Sequence, residues 1–211
     1  RWSQTTRELH AALGLGRADI VLLLPSRLTR RKNIEMAIAI VAALRRRSGL
    51  DIRLLVTGPP GPHNPANEAY LEELLERCRR LQVRDAIHFL YRVDPQAPRT
   101  LDETTVAELF TVADALLFTS REEGFGIPIL EAGLARLPVF CTDIPAFRES
   151  GGDEVTYLGL ESPAEEAAGL ILESLERDPR YRLRQRVLRQ YSWSQLVHDR
   201  LVPLLEPSRH G

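Results

Sequence analysis

The sequence predicts an α/β protein built on a doubly wound, Rossmann-like parallel sheet of about six strands. Two observations carry this. Strand-like apolar runs alternate with helix-like runs along the chain. The strand-like runs are apolar without alternation, as a sheet needs when helices cover both faces. The chain has 211 residues and is 44% hydrophobic, enough for one sizeable core.

The elements follow in order. "DIVLLLPS" (19–26) is a continuous apolar run closed by Pro-Ser and reads as the first buried strand. Residues 33–49 have helical apolar spacing, with Asn33 as N-cap and Gly49 as stop. "DIRLLVTG" (51–58) is the second strand, followed by a stiff Pro-rich loop at 59–65. Residues 66–83 form an amphipathic helix and 86–91 a third strand. A long polar loop covers 92–104, then a short helix 105–113 and a fourth strand 114–120. A further helix is predicted at 127–136 and strands at 137–143 and 154–159. Helices at 163–177, near 180–190 and at 192–206 close the chain, the last disturbed by Pro203. Residues 1–18 read as a linker or partial lead-in, and 19–211 as one domain with carboxy-terminal helices.

Charge excludes several classes. There are 28 basic and 29 acidic residues, for a net charge of -1. This argues against nucleic-acid binding and against a polybasic membrane surface. The clusters Arg45–Arg47 and Arg79–Arg80 end helix-like runs, where cations suit the helix dipole. No apolar stretch is long enough for a transmembrane segment. Cys78 and Cys141 lack metal-ligand spacing and read as buried thiols of a reducing compartment.

In doubly wound sheets the ligand lies at the carboxyl ends of the strands. Ser26-Arg27, Gly58, Tyr91-Arg92 and Ser120 to Gly126 all follow predicted strand ends. The segment "SREEGFGIPILEAGLARLP" (120–138) puts Gly124 and Gly126 around Phe125, just ahead of a helix starting near Ile127. Glycines let backbone N–H groups approach a ligand, and a helix N-terminus favours an anion. Glu123 would repel that anion, so its partners are read as neutral hydroxyls. Glu131 is available for a second set of hydroxyls. In "PSRLTRRKN", Arg27 and Lys32 can both reach the crevice and neutralise a diphosphate. Arg30 and Arg31 read as the solvated members of that cluster. Lys32 is the one lysine in the chain, a compact point charge where arginine is otherwise used.

Arg27-x4-Lys32, Gly58 after the second strand, "SREEGFGIPILEA" with its Glu-x7-Glu, and "RLPVFCTDIPAFRE" together resemble the carboxy-terminal half of family-4 (group 1) retaining glycosyltransferases of the GT-B fold. The resemblance runs from about residue 19 to the final helix. It implies a nucleotide-sugar donor-binding domain, one half of a GT-B fold. It implies that Arg27 and Lys32 contact the donor diphosphate, and that Glu123 bonds hydroxyls of the donor sugar. Gly58, Ser120 and the backbone of Gly124, Phe125, Gly126 and Ile127 would line the sugar and phosphate. Glu131 would bind the ribose, and backbone from Tyr91 to Val93 would meet the base. Tyr91 stands where the family often has Gly. The implied reaction is sugar transfer from a nucleotide-diphosphate sugar such as UDP-glucose or GDP-mannose, with retention, no metal and no cofactor. The sequence has no Asp-x-Asp.

The family's second, amino-terminal domain supplies the acceptor site and a histidine. None of His10, His63, His88, His198 and His210 sits where it could substitute, and His88 reads as core. The resemblance therefore implies a fragment inactive alone, cytoplasmic, with membrane attachment open only through the missing domain. The alternatives are a non-catalytic glycosyltransferase-like binding module, or an epimerase or phosphorylase on the same fold.

Overall fold

Five parallel strand pairings build one sheet in the computed structural model, which describes residues 1–59, 66–93 and 100–191. The strands are β1 (Ile20–Leu24), β2 (Ile52–Val56), β3 (Ile87–Phe89), β4 (Ala115–Phe118), β5 (Val139–Thr142) and β6 (Thr156–Leu158). Their order is β3-β2-β1-β4-β5-β6, so the doubly wound prediction holds. Every residue of β1, β4 and β5 is buried, which is why these segments are apolar without alternation.

The helices are α1 (Gln4–Ala12), α2 (Ile34–Ser48), α3 (Ala66–Arg80), α4 (Glu103–Val112), α5 (Ile127–Leu134), α6 (Pro145–Gly151), α7 (Ala164–Arg177) and α8 (Pro179–Gln190). One core cluster joins Val21, Leu23, Leu116, Phe118 and Cys141 of the sheet to Leu9 of α1, Phe110 of α4, Ile129 of α5 and Phe147 of α6. Alternate strand residues such as Leu22, Leu54 and Phe140 are equally buried and supply the opposite face. The predicted loop 59–65 beyond Pro59, the part of 92–104 at 94–99, and the helix at 192–206 lie outside the described residues.

The chain divides into two compact units, residues 1–172 and 173–211. In the second, α8 opens with Asp178 accepting from the Arg180 N–H and Pro179 at the first helical position. The Arg180 guanidinium holds the Asp178 carboxyl below its ordinary range.

Three local features differ from the sequence reading. Residues 4–12 are helical, where the reading had a lead-in. Ser3 caps α1, and Glu108 of α4 accepts from the Ser3 N–H, the Ser3 hydroxyl and the Thr6 hydroxyl. These bonds hold the Glu108 carboxyl below its ordinary range, with Ser3 the largest cause. Second, α6 lies between β5 and β6, with Pro145 in its first turn. Third, Asn33 precedes α2 but caps nothing with its side chain. Its backbone is left-handed, φ 49°. The chain leaves a 3-10 turn at Arg30–Lys32 and must reverse before α2, and Asn tolerates that conformation. Gly49 ends α2 as expected, at φ 69°.

Candidate functional site

β1 and β4 are neighbours in the sheet but far apart in sequence. The chain departs from them to different flanks, and the crevice opens between their carboxyl ends. The two loops that leave these strands are joined. Thr119 Oγ1 donates to the carbonyls of Lys32 at 3.2 Å and Asn33 at 3.0 Å. The Arg121 N–H donates to the Arg31 carbonyl at 2.8 Å.

This joint brings Lys32 to Glu123. Lys32 Nζ donates to Glu123 Oε1 in an ion pair whose side chains are only 11% and 10% exposed. Ser120 Oγ donates to the same carboxylate oxygen at 2.7 Å. Arg31 Nη1 approaches Glu123 Oε2 at 3.5 Å and the Glu122 carbonyl at 3.4 Å. Lys32 Nζ also lies 5.2 Å from the centre of the Phe118 ring. Within the chain, Glu123 thus accepts from the Ser120 hydroxyl and pairs its charge with Lys32. Arg31, read from sequence as solvated, joins the same carboxylate. Arg30 pairs instead with Glu73 on the surface.

The glycines divide by what surrounds them. Gly58 is buried, and a Cβ there would lie 2.3 Å from the Ser26 carbonyl oxygen and 2.6 Å from Arg27 Cα. Its need for glycine comes from backbone packed on backbone. Gly126 has φ 96° and would push a Cβ to 2.9 Å from Phe147 Cδ1. Gly124 is exposed, and a Cβ there would meet nothing within 4 Å. α5 begins directly after Gly126, without a side-chain cap on its first N–H groups. Phe125 and Ile127 are exposed at its mouth.

The remaining predicted residues are more dispersed. Arg27 is exposed at the end of β1, beside Gly58. Glu131 is exposed on α5. Among the described residues, neither side chain has a hydrogen bond or ion pair. Tyr91 is half-buried and Val93 exposed, just past β3 at the sheet edge. Ser26 is a feature the sequence did not single out for its side chain. Its Oγ is buried at the end of β1 with no partner among the described residues. Among the described residues, no group of three or more His, Cys, Asp or Glu could hold a metal ion. No described helix is long and apolar enough to cross a membrane. Cys78 and Cys141 are buried free thiols, pushed up by burial to about 11 and about 12.

Known proteins share both the sequence pattern and the fold. The serotype-specific mannosyltransferase WbdA of Escherichia coli is 30% identical over 120 residues, covering 56% of this chain and 13% of its own. The crystal structure of Anabaena Alr3699/HepE in complex with UDP superposes with a TM-score of 0.66 at 19% identity, over 96% of this chain and 53% of that one. The C-terminal domain of LpcC, a glycosyl transferase group 1 family protein from Francisella tularensis, superposes with a TM-score of 0.59 at 17% identity, over 86% of each chain. The architecture is one Rossmann-like half of a GT-B glycosyltransferase. Residues 5–190 match the sequence profile described as glycosyl transferases group 1, and the chain belongs to that family.

Proposed function

We propose that this chain is the donor-binding half of a glycosyltransferase, which holds a nucleotide-diphosphate sugar in the crevice between β1 and β4. The observation that carries the reading is the shielded Lys32–Glu123 contact between the two loops at that crevice. A cation and a carboxylate in one place suit a ligand with a diphosphate next to hydroxyls. The diphosphate takes the charge of Lys32, with Arg27 beside it, and Glu123 turns to the sugar hydroxyls. Both cations interact more strongly as negative charge grows on the departing diphosphate.

Gly124 fits this assignment. No protein atom requires glycine there, and an approaching sugar would. The backbone of Phe125, Gly126 and Ile127 continues the cradle, with the α5 N-terminus favouring the phosphate. Glu131 takes the ribose, and the backbone from Tyr91 to Val93 meets the base. A relative that is a mannosyltransferase and a neighbour bound to UDP support this class of donor. Transfer with retention and without a metal ion completes the reading. The chain spans 53% of the UDP-bound neighbour's chain. In this reading a second domain supplies the acceptor, and these 211 residues do not turn over alone.

Calorimetric titration with UDP, GDP, ADP and their hexose forms, without metal, tests the reading. One diphosphate saturates selectively, and Lys32→Ala weakens it by about 1.5–3 kcal/mol while leaving a phosphate-free nucleoside unchanged. Glu131→Ala costs a ribonucleotide more than a deoxyribonucleotide. Equal losses in these pairs would remove the two assignments. Sugar transfer by the 211-residue chain alone would overturn its dependence on a second domain.

A further inference from the structure

A second cavity, of about 360 Å³, runs along the outer side of β3, away from the β1–β4 crevice. Its apolar lining is made by Leu13, Leu71 and Leu75 with Phe89 and Val93. Its polar lining includes Arg84, His88 and Arg92. Its volume falls in the range of small-molecule sites.

The polar lining is not balanced within the protein. Arg92 pairs with Glu72, and Arg79, also at the cavity, pairs with Glu76. Arg84 makes no hydrogen bond or ion pair among the described residues. His88 Nε2 is buried and has no partner among them either. A buried nitrogen without a partner is costly, and a bound acceptor would relieve that cost. With Arg79 and Arg92 each paired to a carboxylate, Arg84 gives the lining its positive excess.

We propose that this groove binds an amphipathic anion, an acyl or aryl carboxylate. Its carboxylate lies against Arg84 and accepts from His88 Nε2–H, and its apolar body lies on Leu71, Leu75 and Phe89. Charge complementarity selects the anion, and the apolar lining excludes a bare inorganic one. Val93 belongs both to this groove and to the segment assigned above to the base, so the two ligands are neighbours at that residue. The groove does not depend on the donor assignment, because Lys32, Glu123 and the glycine turn take no part in it.

Octanoate and 2-naphthoate, titrated calorimetrically into the full chain, are the probes. At least one binds, and its uncharged amide binds roughly tenfold weaker or worse, as expected for a charged hydrogen bond. Arg84→Ala produces a similar loss. Leu75→Trp, which fills the groove, abolishes binding, and circular dichroism and Tm verify that the variant is folded. Lys32→Ala leaves the probe affinity unchanged. Three results would overturn the proposal: no binding of either carboxylate at millimolar concentration, equal affinity for acid and amide, or displacement of the probe by UDP or GDP. The last would make the groove part of the donor site.

Discussion

The loops at the β1–β4 crevice and the turn beyond β3 both carry cation–carboxylate pairs, but of opposite kinds. Lys32 and Glu123 are almost wholly shielded and share their surroundings with Ser120, Arg31 and the Phe118 ring. Arg92 and Glu72 are 39% and 58% exposed. Water and salt screen the second pair, while the first has given up its hydration and relies on its partner. The difference shows where the fold fixes geometry. The shielded pair sits at the switch point, and the pair beyond β3 is open to water.

Double-mutant cycles put the largest effect on this contrast. Glu123→Ala leaves a shielded ammonium without its carboxylate and lowers stability by about 3 kcal/mol in urea unfolding. The corresponding coupling of Arg92 with Glu72 stays under about 1 kcal/mol. Similar couplings for both pairs would erase the distinction. Glycine substitutions sharpen it next. Gly58→Ala forces a Cβ into the Ser26 carbonyl and destabilises by about 1–3 kcal/mol. Gly124→Ala changes stability by no more than about 0.5 kcal/mol yet weakens binding of the nucleotide sugar relative to the free nucleotide.

The last effect belongs to the edge and is set by acid. Burial holds the His88 imidazole down, to about 4, with the nearby Arg53 and Arg84 adding to the shift against the opposing pull of Asp85 and Asp51. The unfolded chain titrates near the ordinary 6.5. Above that value His88 is neutral in both states and adds no pH dependence, and stability is lost as pH falls from it toward 4. Replacing His88 with Gln should flatten that acid slope in thermal unfolding. An unchanged slope would place the acid sensitivity on other groups.

Much of the sheet was legible because buried parallel strands must be continuously apolar, as β1 and β4 are. The residues at their ends were legible because loops after strands collect at one edge. What was hidden is instructive. Residues 4–12 read as a lead-in because what holds α1 in place is Glu108, more than a hundred residues on. α6 is seven residues long, too short to show a period. The pairing of Lys32 with Glu123 could not be read, because it depends on β1 lying beside β4. Glu123 was assigned hydroxyl partners because a carboxylate repels an anion, and its partner Lys32 comes from the other loop. Gly58 was read from its place after β2, and its close packing on Ser26 and Arg27 could not be seen without the β1–β2 pairing.

The backbone bond from Arg121 to Arg31, with Thr119 bridging to Lys32 and Asn33, has a consequence for how such chains diversify. Each loop is the template on which the other is moulded. Swapping one alone from a homologue breaks the seam, and a change of length in one must be answered in the other. Recombination that alters the specificity of this domain should therefore move residues 25–33 and 119–126 as a matched set.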